Sequence, residues 1–306
     1  MTVQMSEVAR ETAHRERSDA RFWVALGIIG GLYVLLVVAM VVADVAYTTP
    51  AAMLKVLRDP AIRYSIKLSL VSCSITTILA LWVAVPLGYI MSRWQAPRRK
   101  PGEPRRVFWN WLAKGLVDAT LDIPIVLPPL VIGLCLLILF QTPLGRVFQR
   151  GDISIFGWRL PPIPITYAVP SVIIAQFAVA CAFAVRTMKV TFDQISPRGE
   201  QVALTLGCTR GQAFWLVVLP EAKRGMLAAG TLAWARALGE FGPILVFSGA
   251  TRMRTEVLPT SVFLELSLGR LPAALAVSLL MIAAAVIVLI IVRLAGSETT
   301  MMRGAT

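Results

Sequence analysis

The 306-residue sequence predicts an all-α fold, a polytopic membrane helical bundle with about six transmembrane helices. Three observations carry that expectation. Apolar residues make up 57% of the chain and the mean hydropathy is +0.73, while charged residues are only 15%, against about 25% in soluble domains. The apolar residues gather into runs long enough for a bilayer core, which takes about 20 residues of helix. The 30 Lys and Arg outweigh 17 Asp and Glu, and the net charge of +13 collects between the runs, as cations do in cytoplasmic loops. These figures exclude an ordinary soluble enzyme and a disordered chain. His14 is the single histidine. No catalytic residue, metal site, cofactor or nucleic-acid partner is therefore expected.

The runs fall in order along the chain. Residues 22–46 follow a polar tail, 1–21, and contain one charge, Asp44. That run is too long for a signal-peptide core and reads as a retained anchor. Residues 66–91 form a second run, with Pro86 and Gly88 near its end. Residues 123–140 form a third, interrupted by Pro124, Pro128 and Pro129. Residues 166–185 are the fourth and 226–247 the fifth, which carries Arg236 and Glu240. Residues 271–292 are the sixth, before a tail at 294–306. The domain division expected is a tail 1–21, a first helix with its external loop 22–61, a membrane domain 62–293 and the tail 294–306.

Orientation follows from the loops. Residues 93–114 hold seven cations and one acid, and residues 186–224 hold six cations. Two runs separate these loops, so they share a side, and their charge places them and both termini in the cytoplasm. Residues 95–106, with three prolines and a glycine, read as a polar linker. Residues 145–164 read as an external loop whose Phe148, Phe156 and Trp158 suit a membrane surface. Trp82, Trp94, Trp109, Trp111 and Trp158 read as interfacial anchors. Cys73, Cys135, Cys181 and Cys208 form no C-x-x-C pair and read as packing residues. No repeat of fixed period and no inverted repeat is visible.

The segment 196–220 is the most informative. Ser196 can cap a helix whose first turn takes Pro197. Val202, Ala203 and Leu206 follow on one helical face, and Gly207 suits the stop. Thr209 and Gln212 form a capping-box pattern that starts a second helix, made apolar by Phe214, Trp215, Val217 and Val218 and ended or bent by Pro220. Both helices are too short to cross a membrane. An apolar short helix facing water needs a partner or its own bundle to cover it.

Glu200, Gln201, Val202 and Ala203, then Gly207, then Val217, Val218, Leu219 and Pro220 resemble the EAA loop of ABC importer permeases. Gln201 and Val202 stand where that family usually has alanine, and Val217 where it has isoleucine. The resemblance implies a type I importer permease fold. It further implies that Glu200, Ala203, Gly207, Leu219 and Pro220 belong to coupling helices seated on a separate ATPase subunit. Residues 235–242 (Ala235, Arg236, Ala237, Leu238, Gly239, Glu240, Phe241, Gly242), 255–259 and 127–133 resemble the molybdate, tungstate and sulfate branch. That branch implies import of a tetrahedral oxyanion, molybdate first, delivered by an external binding protein. It also implies a cytoplasmic ATP-binding subunit dimer, a second copy of this chain as homodimer partner, and a bacterial or archaeal inner membrane.

Arg236 and Glu240 are four apart, so they share a helix face and can pair. Charges at mid-span face a bundle interior or water and are functional by default, and a cation there would ease the passage of a dianion. A structural ion pair is the other reading. Pro128 and Pro129, by breaking their span, are candidate pathway elements beside Arg236 and Glu240, with a kink that only shapes packing as the other reading. Asp118 and Asp122, just before that span, are expected at the membrane interface. The sequence has no G-x-x-x-x-G-K-[ST] loop to cradle ATP phosphates, so the chain is a transport subunit and not itself the ATPase. A gradient-driven secondary transporter or channel is the alternative. It would have to titrate Glu240 or Asp44, the only clear acids within the runs.

Overall fold

A computed structural model describes residues 2–94, 104–150, 154–155, 158–159 and 164–301. The chain divides into two compact units, Met1–Pro50 and Ala51–Thr306. The first is one helix, α1 (Thr2–Tyr47), closed where the Thr48 hydroxyl donates to the Asp44 carbonyl at 2.7 Å. None of the residues in the most apolar window of its stretch Phe22–Tyr47 is buried.

The second unit is almost wholly helical. A short α2 (Pro50–Arg58) leads to Asp59, which caps α3 (Pro60–Arg93) by accepting from the Ala61 amide at 2.8 Å. Pro60 suits the first turn because its missing N–H would have had no helical partner. Then follow α4 (Pro104–Val126), α5 (Pro129–Gln141) and α6 (Pro143–Arg150). A two-residue antiparallel ladder pairs β1 (Ser154–Ile155) with β2 (Trp158–Arg159). After α7 (Val169–Gln194) come two short helices, α8 (Pro197–Thr205) and α9 (Arg210–Ala213), and a π-helical turn (Phe214–Val218). The one-turn α10 (Leu219–Glu221) precedes α11 (Lys223–Leu238), α12 (Gly242–Phe247), α13 (Leu258–Ser267) and α14 (Leu271–Met301).

The centre of this unit is the pair α3 and α7. They run parallel: Thr76 meets Gln176, Tyr89 meets Phe192, and Arg93 reaches the Ile195 carbonyl. Helix α11 packs against both in the opposite sense. The three helices meet through Ala80 and Ala84, Ala180 and Ala184, and Ala229, Ala233 and Ala237, all buried. Alanine lets backbones approach closely, which in a bilayer supplies the packing that hydrophobicity cannot. A polar seam runs beside the alanines. Ser69 Oγ accepts from the Leu258 amide at 2.8 Å, the Thr76 hydroxyl meets Gln176 Oε1 at 3.2 Å, and Gln176 Nε2 donates to Cys73 Sγ at 3.6 Å.

At the end of α3 nearest Asp59 the unit is closed by charge. Arg252 pairs with Asp59 at 3.9 Å and makes a short contact to Glu265, and Arg270 lies 3.8 Å from Glu265. Glu256, in the loop between α12 and α13, is fully buried. Burial pushes its carboxyl above the usual range, against the donated Ser261 hydroxyl and the nearby Arg252, which favour the anion.

Among the described residues, four helices have the length and composition to cross a membrane: Phe22–Tyr47, Pro60–Arg93, Val169–Gln194 and Leu271–Val292. These cover the first, second, fourth and sixth expected runs. The other two runs are broken. The third is the joint of α4 and α5, which meet at 111° across a two-residue gap. Pro124 stays inside α4, whereas Pro128 and Pro129 end it. Pro129 forces Pro128 into an extended conformation (φ −54°, ψ 133°), and two successive residues lack the N–H that would continue the ladder. The fifth run parts at residues 239–241 into α11 and α12. The linker at 95–106 falls largely outside the described residues, as do the side chains of Phe148, Phe156 and Trp158.

Candidate functional site

Two places gather the residues singled out from the sequence. The first is the loop joining α7 to α11. Ser196 caps α8 by accepting from the Arg198 amide at 3.4 Å. Gly207 takes φ +91°, a conformation that disfavours any Cβ, and so turns the chain after α8. The Thr209 amide donates to Gln212 Oε1 at 2.8 Å and the Gln212 amide donates to Thr209 Oγ1 at 3.3 Å, completing the capping box. The α8 face differs from the sequence expectation. Ala203 is buried, while Val202 and Leu206 point outward, Leu206 with 78% of its surface free. Trp215 and Leu216 are exposed as well. The loop thus leaves four large apolar side chains uncovered, two before Gly207 in the chain and two after it. Val218 is buried, Leu219 half-buried and Pro220 exposed. In place of a regular second helix the chain widens to a π turn from Phe214 to Val218, a feature that recurs at functional positions.

The same loop is tied inward at Glu200. Its Oε1 accepts from the Tyr89 hydroxyl at 2.5 Å and its Oε2 accepts from Arg93 Nε at 3.3 Å. Arg93 also donates to the Phe192 and Ile195 carbonyls, each at 3.3 Å, where α7 ends. The Tyr89 ring packs on Phe192 at 5.6 Å and on Phe214 at 4.7 Å between centroids. Sequence reasoning named Glu200 but missed Tyr89 and Arg93. Their four-residue spacing at the end of the second run was the available signal.

The second place is where the two broken runs meet. A Cβ on Gly133 would lie 2.8 Å from Pro243 Cα, and one on Gly242 would lie 3.0 Å from the Leu130 amide. Glycine is what allows α5 and α12 to touch backbone to backbone there. The joint at Pro128 and Pro129 therefore sits against the joint at 239–241. Arg236 Nη2 lies 2.9 Å from Glu240 Oε1, and its guanidinium stands 5.4 Å from the centre of the Phe183 ring. Glu240 is 1% exposed and Arg236 about a third exposed. The approach is an ion pair and not an aligned hydrogen bond, because Glu240 Oε1 receives no donor. The structure thus brings Arg236, Glu240 and Phe183 together, and Pro129 against Gly242.

Asp118 and Asp122, expected at the membrane interface, each hold a cation of α7. Asp118 holds Lys189 and Asp122 holds Arg186, each at 2.8 Å, so that α4 is fastened to α7. Among the described residues no group of three or more His, Cys, Asp or Glu could hold a metal ion.

Residues 105–298 match the family described as binding-protein-dependent transport system inner membrane component. The sulfate transport system permease protein CysT of Escherichia coli is 29% identical over 260 residues, 84% of this chain and 85% of that one. The molybdenum transport system permease protein ModB of Mycobacterium tuberculosis is 28% identical over 275 residues, 89% of this chain and 94% of that one. A probable molybdenum ABC transporter permease of Haloferax volcanii is 29% identical over 294 residues, 94% and 98% of the two chains. Among solved structures, a chain of a bacterial alginate ABC transporter, in complex with an alginate-bound periplasmic protein, is similar in fold. Its TM-score is 0.65 at 13% identity, over 89% of this chain and 93% of that one.

Proposed function

We propose a mode of transport from one premise: the chain belongs to the family of binding-protein-dependent transport system inner membrane components. It is a multi-pass membrane protein with a type I importer permease fold, a transport subunit of the sulfate and molybdate permease group. In our reading it carries a tetrahedral oxyanion inward, molybdate first, with tungstate and sulfate as alternatives. The anion is handed over by an external binding protein, and a separate pair of ATP-binding subunits supplies the work. Two copies of the chain form the passage in an inner membrane, with the 93–114 and 186–224 loops and both termini inside.

The observation that carries this reading is the exposure of Val202, Leu206, Trp215 and Leu216, on either side of Gly207 along the loop. Apolar side chains raised on two short helices outside the spans are stable only when another surface covers them. An ATPase seated there would meet Gly207, Leu219 and Pro220, while Ala203, turned inward, would seat α8 on the bundle. The loop is rooted through Glu200, so pressure on it would reach α3 and α7. The facing joints that hold Arg236, Glu240, Pro128 and Pro129 are the candidate passage. Broken backbone is tolerated at membrane depth only where protein or water covers it.

The test is co-purification followed by uptake into vesicles. Cysteines at the exposed Val202 and Leu206 are expected to cross-link to an ATP-hydrolysing subunit, and uptake of labelled molybdate is expected to require both ATP and the binding protein. Uptake driven by a pH gradient alone, with no ATPase captured, would sink the reading.

A further inference from the structure

The two halves of the α7–α11 loop converge on one side chain. From α8, the Glu200 carboxylate accepts the Tyr89 hydroxyl. From the π turn, the Phe214 ring lies 4.7 Å from the Tyr89 ring. Tyr89 also touches α7 through Phe192, which itself stands 6.4 Å from Phe214. Arg93, one turn further along α3, ties the other Glu200 oxygen to the two carbonyls that end α7. The Glu200 and Arg93 side chains are 14% and 19% exposed, so the bridge is largely shielded from water. Such charge-assisted contacts outlast the weak ion pairs of open surfaces.

A loop can push a helix only as far as its attachment is stiff. These bonds add directional ties to the apolar packing of Ala203, Phe214 and Val218 that seats the loop on the bundle. With them, α8 and the π turn share a fixed joint with α3 and α7. We infer that Tyr89 and Arg93 are positioning residues of the coupling joint, holding Glu200 and Phe214 so that displacement of the loop becomes displacement of α3 and α7. The inference rests on the transport reading above and adds to it the residues through which force would leave the loop. Tyr89 and Arg93 contact neither the anion nor ATP in this scheme. They set how much transport each hydrolysed ATP yields.

The experiment uses the whole transporter, purified with its ATPase and binding protein and reconstituted in vesicles, with radiolabelled sulfate and molybdate as probes. Tyr89→Phe keeps the ring stack and removes the hydroxyl. Arg93→Lys keeps the charge but cannot reach Glu200 and two carbonyls together, and Arg93→Ala removes everything. The readout is anion imported per ATP hydrolysed, beside the yield of assembled complex. Tyr89→Phe is expected to lower that ratio about tenfold or more, the scale of losing a hydrogen bond to a charged group, while hydrolysis continues and assembly is normal. Arg93→Ala should lower it further, with Arg93→Lys in between. An unchanged ratio in both Tyr89→Phe and Arg93→Ala overturns the joint. So does a parallel fall of hydrolysis and uptake, which is the mark of a merely damaged fold. Failure of the unaltered complex to import either probe with ATP would instead overturn the transport reading beneath it.

Discussion

Arg236 and Glu240 show how little freedom a buried charge has. Glu240 is covered and its companion is one turn away, so removing the guanidinium strands a carboxylate in a dry setting. Such losses cost roughly 3–5 kcal/mol, and the partial exposure of Arg236 places this one at the low end. Arg236→Ala is expected to melt earlier and to stop uptake. Adding Glu240→Gln should restore most of the melting temperature without restoring uptake. Recovery of uptake in the double variant would reduce the pair to a structural tie. Glu256 makes the opposite case. Its pKa is raised in the folded chain, so its contribution to stability is full below the ordinary value of 4.5. That contribution drains away as pH climbs through the raised value. Glu256→Gln should therefore match the parent in acid and melt higher at neutral pH. A variant less stable at neutral pH than in acid, relative to the parent, would contradict this.

At the level of elements, the stops and starts of the α7–α11 loop were legible because they are local chemistry. Ser196, Gly207, Thr209 and Gln212 do in the fold what their positions predict. The direction of Ala203 was not legible, since it depends on which side of α8 meets the bundle. The π turn was also hidden, because no short pattern in the apolar stretch 214–218 distinguishes it from a helix. The same holds for the ties between Asp118 and Lys189 and between Asp122 and Arg186, which join positions far apart in the chain. Those ties differ in depth. Arg186 is more than half exposed, while Lys189 is 19% exposed. Asp122→Asn should change stability by less than ~1 kcal/mol, and Asp118→Asn by more, as followed by thermal melting in detergent. Equal effects would mean that burial does not govern the pair. The meeting of α5 with α12 admits a sharper trial. Gly133→Ala drives a methyl into the Pro243 backbone and is expected to cost about 1–3 kcal/mol. An unaltered melting curve would show that the two joints do not touch.

For the whole molecule, composition alone foretold a membrane bundle, and the spacing of Glu200, Gly207 and Pro220 foretold the family. The count of crossings was harder. Hydropathy finds runs of apolar residues, but it does not see that Pro128 and Pro129 turn one run through 111° or that residues 239–241 part another. In both cases the backbone, and not the apolar content, decides. Both breaks fall on the residues singled out for the passage.

The tightest helix pair, α3 with α7, is also the pair whose members enter the bilayer far apart in time. Being parallel, they cannot be joined by a hairpin. The chain must run back through α4 to α6 before α7 arrives. Until then Ser69, Ser72, Cys73 and Thr76 face something other than the Gln176 that later meets two of them. The nascent protein must pass through a stage with hydroxyls turned toward lipid or shielded by the insertion machinery. A ribosome stalled after α6 should therefore hold α3 in a form that a chaperone or protease distinguishes from the finished bundle.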